Sequence, residues 1–151
     1  MWKKIYRFLM VLVIGLTTYS AIGSMIIVPL NYSSVQAAID ASWHGDTVLV
    51  EPGTYYENLN LNGMNIVLAS RFLLTGNPAY IDSTILDGNH SGRVITFYSG
   101  EDSTCRISGF TIRNGNSSYD SYSTFGGGIY IDFSSPIVEH CIIENNSYCL
   151  S

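Results

Sequence analysis

The chain has 151 residues, enough for one domain, and hydrophobic residues make up 46% of it, which excludes a disordered protein. Its formal net charge is −5, but three of its seven basic residues lie in the first ten positions. The rest of the chain therefore has 7 − 3 = 4 basic residues against 12 acidic ones, and a net charge of 4 − 12 = −8 excludes nucleic acid as a partner class.

Residues 1–23 have the pattern of a secretory signal peptide. Basic residues precede an apolar run over residues 8–16, and Ala21 and Gly23 are small residues spaced as a leader peptidase requires. The rival interpretation is an uncleaved N-terminal membrane anchor, because residues 8–39 contain no charge and about 20 apolar residues suffice to cross a bilayer. We therefore expect a protein that is secreted or at the cell surface, or one that is membrane-anchored.

Residues 24–46 are predicted to form a linker followed by a capping helix. Val35, Ile39 and Trp43 recur at four-residue spacing, which predicts a helix with one apolar face. Ser33, three residues before a glutamine, has the spacing of an N-cap in a capping box. Because so short a helix is marginal alone, its apolar face must lie on another element.

Residues 47–151 are predicted to consist of short strands bounded by Gly, Ser, Asn and Asp. In ENLNLN the side chains alternate strictly, so Leu59 and Leu61 are predicted to share one face of a strand. The other predicted strands are Thr47–Val50, 65–70, 93–99, 105–112, 128–133 and 136–143.

A similar phrase recurs three times, as TILDGN, GFTIRNGN and IIENNS. Aligning the phrases on Ile85, Ile112 and Ile143 places Phe110 and Cys141 two residues before the second and third Ile. The residue after each Ile is predicted to face outward and to vary freely, as Leu86, Arg113 and Glu144 do. Each phrase ends in a turn whose Asn or Gly tolerates left-handed backbone angles. A period of about 20 to 35 residues without an internal helix predicts a β-solenoid whose inward residues stack from coil to coil.

A β-sandwich built from hairpins is the competing all-β prediction. Asn-Gly pairs at 62–63 and 114–115 could form two-residue hairpin turns. A sandwich, however, does not require a repeated strand–turn phrase, so the solenoid is favoured.

The cysteines are Cys105, Cys141 and Cys149, and their odd number leaves at least one unpaired in an exported protein. Their spacing matches no zinc or haem pattern. Cys105 and Cys141 are interpreted as small buried hydrophobic residues. The sequence alone does not establish a disulfide.

The segments SVQAAIDASWHGDTVLVEPGTYYENLNLNG and GGGIYIDFSSPIVEHCIIENNS resemble right-handed parallel β-helix proteins of the pectin-lyase-like superfamily. STILDGN and GFTIRNGN likewise resemble the coil repeats of large secreted bacterial proteins of this type. The resemblance covers about residues 32–147 and implies an all-β, right-handed parallel β-helix of about three coils with an N-terminal capping helix. In that helix Val35, Ile39 and Trp43 would cover the first coil. The chain stops just after a coil phrase, so we expect a β-helix truncated at its C-terminus, whose uncapped last coil could self-associate.

The superfamily includes pectate lyases, pectin methylesterases and polygalacturonases, which use paired carboxylates, calcium or arginine on an outer face. The predicted outward charged residues Asp132, Glu139, Glu144 and Arg113 form no such constellation, so no catalytic or cofactor-binding residue is assigned. Asp120 and Asp132 could help to hold calcium, although their spacing matches no known motif, and no other cofactor is expected. The first hypothesis is an exported, non-catalytic, adhesin-like module. The alternative is the N-terminal fragment of a pectate lyase, pectin esterase or glycoside hydrolase with its catalytic coils missing.

Polysaccharide binding needs exposed aromatic faces beside hydrogen-bonding groups. The predicted loop NSSYDSYSTFGGG, residues 116–128, carries Tyr119, Tyr122 and Phe125 among Ser and Asp. These three aromatic residues are the candidate glycan contact. The expected partners are a polysaccharide or another surface protein.

Overall fold

The computed structural model describes residues 23–117 and 126–147. The helices are α1 (Val35–Asp40), α2 (Phe72–Thr75) and α3 (Ala79–Ser83). The strands are β1 (Met25–Val28), β2 (Thr47–Val50), β3 (Gly53–Tyr56), β4 (Leu59–Asn60), β5 (Val67–Ser70), β6 (Thr84–Asp87), β7 (Ile95–Phe97), β8 (Arg106–Ser108), β9 (Thr111–Arg113), β10 (Ile129–Ile131), β11 (Ile137–Glu139) and β12 (Ile142–Glu144). None of the helices in the described ranges is long and apolar enough to span a membrane. The predicted signal peptide or anchor lies outside these ranges, apart from Gly23.

The strands form three sheets in which every pairing is parallel. Sheet A has the order β1-β2-β5-β8-β11, sheet B the order β3-β6-β9-β12, and sheet C the order β4-β7-β10. From β2 onward the chain visits sheets A, B and C in that order three times, then returns to A and B. We call each A–B–C passage a circuit. An all-β fold of parallel sheets is confirmed, and the hairpin sandwich is wrong because hairpin strands pair antiparallel.

The inward side chains of successive circuits lie in register and form one core. In sheet A the row is Val48, Leu68 and Ile107, and each is fully buried. In sheet C the predicted inward Leu59 pairs with Ile95, and both are buried. Burial of each such side chain stabilises the fold by roughly 1.5–3 kcal/mol. β-branched and Leu side chains suit these positions because they pack well on a pleated surface.

The predicted alignment of the three phrases is wrong by one residue in the first phrase. Leu86, not Ile85, is in register with Ile112, which is in register with Ile143. Since side chains alternate along a strand, Leu86 is fully buried and Ile85 is only half-buried. The reason is local: α3 runs up to the residue before β6, so the strand begins on Thr84 and its turn follows Asp87.

The stacking of Phe110 with Cys141 follows the prediction, since Ile142 pairs with Thr111 one residue further on. Phe110 is fully buried, and Cys141 is half-buried against the core. Ile143, although in register with Ile112, is 55% exposed because β12 is the edge strand of sheet B. The inward side chain of this edge strand is therefore partly exposed to solvent.

The capping helix is shorter than predicted, and one of its three predicted contacts is wrong. Val35 and Ile39 are fully buried where α1 packs on β1, β2 and β4, but Trp43 is 78% exposed. The helix ends at Asp40, and the Asp46 carboxylate accepts the Trp43 N–H, so helical spacing no longer holds at Trp43. The N-cap is Ser34 rather than Ser33, since its hydroxyl accepts the Ala37 N–H.

Two segments of regular structure were missed by the sequence prediction. β1 lies in the predicted linker and adds an outer strand to sheet A. Between β5 and β6 the chain forms α2 and α3, where the pattern predicted no helix. α3 lies against sheet B, and the Thr111 hydroxyl donates to the Ile81 carbonyl at 3.0 Å. The insertion leaves the pairing of β5 with β2 and β8 intact.

Candidate functional site

On the outer face of sheet B, an ion pair joins the second and third circuits. Arg113 Nε donates to the Asp87 carboxylate at 2.9 Å, and the Asp87 side chain is only 3% exposed. Asn114 Nδ2 and the Asn89 N–H also donate to this carboxylate, each at 2.9 Å. Burial alone would raise the pKa of Asp87, but these hydrogen bonds and the guanidinium charge outweigh it, so the pKa is lowered. Arg113, predicted to vary freely, is therefore a structural residue.

At sheet A, two further ion pairs join neighbouring strands or the residues that directly follow them. The Arg71 guanidinium donates to both oxygens of Glu51, at 2.5 and 2.6 Å. Arg106 donates to Glu139 at 2.8 Å. Exposed pairs of this kind add little stability. Glu139, a predicted outward acid, is thus occupied by a contact between strands.

A buried carboxylate joins the corners that lead from sheet C back to sheet A. Glu101, 1% exposed, accepts the Gly63 N–H at 2.8 Å, the Ser99 N–H at 3.1 Å and the Ser134 hydroxyl at 2.7 Å. Gly63, Ser99 and Ser134 follow β4, β7 and β10, so one carboxylate connects all three circuits. Burial would raise the pKa of Glu101, but hydrogen bonds from Ser134 and from backbone N–H groups lower it overall.

Asparagines occupy the corners between sheets B and C, as the repeated phrase predicts. Asn114 and Asn145 have φ of 55° and 52°, in the left-handed region that Asn tolerates. The Asn146 amide accepts the Gly115 N–H at 2.7 Å and donates to the Ile112 carbonyl at 3.0 Å. The Asn146 side chain thus joins the corner after β12 to β9 and the corner that follows it.

The outer face of sheet C carries hydroxyl, amide and aromatic groups in two rows across the strands. The registers Asn60–Thr96 and Thr96–Tyr130 define the first row. Two residues after these positions, just beyond the ends of β4, β7 and β10, come Asn62, Tyr98 and Asp132, which form the second row. We call these six residues the sheet C face. Asn62 has a left-handed φ of 50°, and its amide donates to Asp40 at 3.1 Å.

Local hydrogen bonds and a cation–π contact hold the sheet C face. Asn60 Nδ2 donates to the Tyr98 hydroxyl at 3.3 Å, and the Tyr130 hydroxyl donates to Asp132 at 3.2 Å. The Arg93 guanidinium lies 3.9 Å from the centroid of the Tyr130 ring. The Tyr98 ring is 50% exposed beside these groups. The combination of an exposed ring and neighbouring amides is the kind that binds sugars.

The predicted glycan contacts Tyr119, Tyr122 and Phe125 lie outside the described residues, as does Asp120. Among residues 23–117 and 126–147, no three His, Cys, Asp or Glu side chains lie close enough together to hold a metal ion.

The cysteines differ in their burial. Cys105 is fully buried, as predicted, whereas Cys141 is half-buried, and both are free thiols. Burial raises the pKa of Cys105 to about 11, and burial also raises the pKa of Cys141. Neither thiol is therefore an activated nucleophile at neutral pH. Cys149 lies outside the described residues.

The sequence prediction missed the sheet C face and Glu101. A signal for the face was present, because Tyr98 follows the inward Phe97 in ITFYS and Tyr130 stands between the inward residues Ile129 and Ile131 in GIYID. No signal identified Glu101, whose partners Gly63 and Ser134 are 38 and 33 residues away.

Comparison of the chain with protein-family models, with curated proteins and with solved structures found no match.

Proposed function

We propose that the chain is an exported, non-catalytic module that folds as a right-handed parallel β-helix and presents an outer surface to a polysaccharide. The observation that carries the proposal is the fixed order in which the chain visits three parallel sheets. A chain that returns to parallel strands in this order coils, and parallel crossovers are right-handed in nearly all proteins. The α1 helix would cap the first coil, since it buries Val35 and Ile39 against the first strands.

A scaffold role is supported by how the chain uses its carboxylates. Asp87, Glu51 and Glu139 bind arginines on or next to a neighbouring strand, and Glu101 joins three corners. A general acid or base needs a pKa near the working pH and access to a substrate. Asp87 and Glu101 instead are almost fully buried. Hydrogen-bond donors of neighbouring residues lower the pKa of both carboxyl groups and so favour their ionised forms.

The proposal is tested with purified protein and polygalacturonate or its methyl ester, with and without calcium. We expect no release of unsaturated ends, of methanol or of reducing sugar. A matched negative control is the protein unfolded by heat, which should give the same background. Turnover above that background would support the alternative, a fragment of a polysaccharide-active enzyme.

We further propose that the partners include a second copy of the chain, bound at the end of the stack formed by β10, β11 and β12. Ile131 and Ile143 are inward residues of that end, yet they are 46% and 55% exposed, and the neighbouring Phe133 is 88% exposed. Edge strands with exposed apolar side chains readily pair with another chain.

Self-association at this end predicts a mass that rises with protein concentration in light scattering. Phe133→Ser should lower the dimer fraction, because the largest exposed apolar group of that end is removed. Trp43→Ser, which alters an aromatic 78% exposed near the opposite end, is the control and should leave association unchanged. A monomer at all concentrations, or an equal effect of both substitutions, would contradict the proposal.

A further inference from the structure

We propose that the sheet C face binds a neutral polysaccharide chain that lies across the strands, parallel to the stacking direction of the circuits. This inference rests on the proposed function and extends it by naming the surface and the class of ligand. It does not use the segment with Tyr119, Tyr122 and Phe125.

The spacing of the face suits an extended sugar chain. Neighbouring parallel strands lie about 4.8 Å apart, which is close to the length of one sugar residue in an extended polysaccharide. Asn60, Thr96 and Tyr130 follow each other at this spacing on β4, β7 and β10. Successive sugar residues would therefore meet successive circuits.

The groups of the face have the chemistry that sugars need. The exposed ring of Tyr98 can stack against the C–H face of a pyranose. Tyr98 and Tyr130 lie on neighbouring strands and are offset by two residues, on the order of 8 Å apart. Thr96 presents a hydroxyl that donates and accepts, as sugar hydroxyls do. The Asn60 amide already accepts the Asn62 N–H at 3.0 Å, so its remaining donor and acceptor capacity is smaller. Asn60 also orients the Tyr98 hydroxyl by its hydrogen bond.

The charge of the molecule selects a neutral chain over a polyanionic one. Asp132 and Arg93, whose guanidinium lies over the Tyr130 ring, contribute one charge of each sign at the face, but the chain after residue 23 has a net charge of 4 − 12 = −8. Coulombic repulsion therefore opposes a polyuronate or a nucleic acid, even though Tyr and Arg side chains can stack on bases. A neutral chain meets no such opposition.

The test is affinity electrophoresis of the folded protein in gels that contain xylan, β-glucan, galactomannan or polygalacturonate. We expect at least one neutral polysaccharide to retard the protein and polygalacturonate not to. Tyr98→Ala should weaken the binding about tenfold, because the exposed ring is lost. Tyr98→Phe should retain most of it, since stacking needs the ring and only the contact with Asn60 is removed.

Tyr56→Ala is the matched control, because Tyr56 is 67% exposed but lies on sheet B, on strand β3. It should leave retardation unchanged, and circular dichroism should show that all three variants are folded. Equal weakening by Tyr56→Ala and Tyr98→Ala, retardation by polygalacturonate alone, or no retardation by any neutral polysaccharide would overturn the inference. If no gel retards the protein and no turnover is measured, only the binding inference is contradicted, and the non-catalytic role is unaffected. If turnover is measured, the non-catalytic role is contradicted, whatever the gels show.

Discussion

Ile112→Asp is expected to unfold the protein. Ile112 is fully buried between Leu86 and Ile143 in sheet B, and an unpaired carboxylate at such a place costs roughly 3–5 kcal/mol. Lost apolar burial adds about 1.5–3 kcal/mol. The sum is comparable with the whole stability of a typical domain, about 5–15 kcal/mol. Circular dichroism with urea titration would measure the loss, which should leave little or no folded protein at neutral pH.

Ile143→Asp provides the control at the same register position in the next strand. The substitution is chemically identical, but Ile143 is 55% exposed, so a carboxylate there remains hydrated. We expect a change within about 1 kcal/mol, as for most exposed positions. Similar destabilisation by both substitutions would contradict the register of sheet B or the exposure of its last strand.

Glu101→Gln is expected to lower the stability by about 2 kcal/mol at pH 7, because an ionised acceptor of three hydrogen bonds becomes a neutral amide in a buried site. The wild-type pKa of Glu101 is lowered by those bonds, so its contribution is present above the unfolded pKa of about 4.3 and is lost as the pH falls through the folded value. The stability difference between wild type and variant should therefore shrink at acid pH. Urea titrations between neutral and acid pH would measure it.

Asp102→Asn separates this effect from a general effect of acidic residues. Asp102 is adjacent and exposed, and its carboxylate accepts the N–H and the hydroxyl of Thr104, two residues away, at 2.7 and 2.6 Å. We expect little change in stability at neutral pH. A Glu101→Gln protein as stable as wild type, with the same pH dependence, would show that the three corners do not depend on this carboxylate.

Alternation and turn chemistry were sufficient to predict most of the architecture. Leu59, Leu61 and Ile112 are buried as their alternation with polar residues predicts, and the left-handed Asn114 follows from its phrase. The one-residue error at Ile85 arose because TILD has two adjacent apolar residues, so the pattern alone accepts either alignment. α3 decides between them, and the sequence carried no strong signal for so short a helix.

The remaining errors concern contacts between residues far apart in the chain. Trp43 continues the four-residue spacing of Val35 and Ile39. The helix nevertheless ends at Asp40, and the Trp43 N–H donates to the Asp46 carboxylate instead of to a helical carbonyl. Arg113 has a structural role because it pairs with Asp87. Asp87 lies opposite Arg113 only in the observed register, in which Leu86 rather than Ile85 pairs with Ile112. Local propensity carries no information about such partners, because they meet only once the circuits have stacked.

The corner that contains α2 and α3 also shows what the scaffold tolerates. After β2 only Glu51 and Pro52 connect sheet A to sheet B, whereas after β5 the connection runs through residues 71–83, with β5 still paired on both sides. The entropy cost of closing a longer connection grows slowly, by about 0.6 kcal/mol for each doubling of its length. Short peptides grafted into successive corners of this kind would therefore emerge at intervals set by the strand spacing, about 4.8 Å.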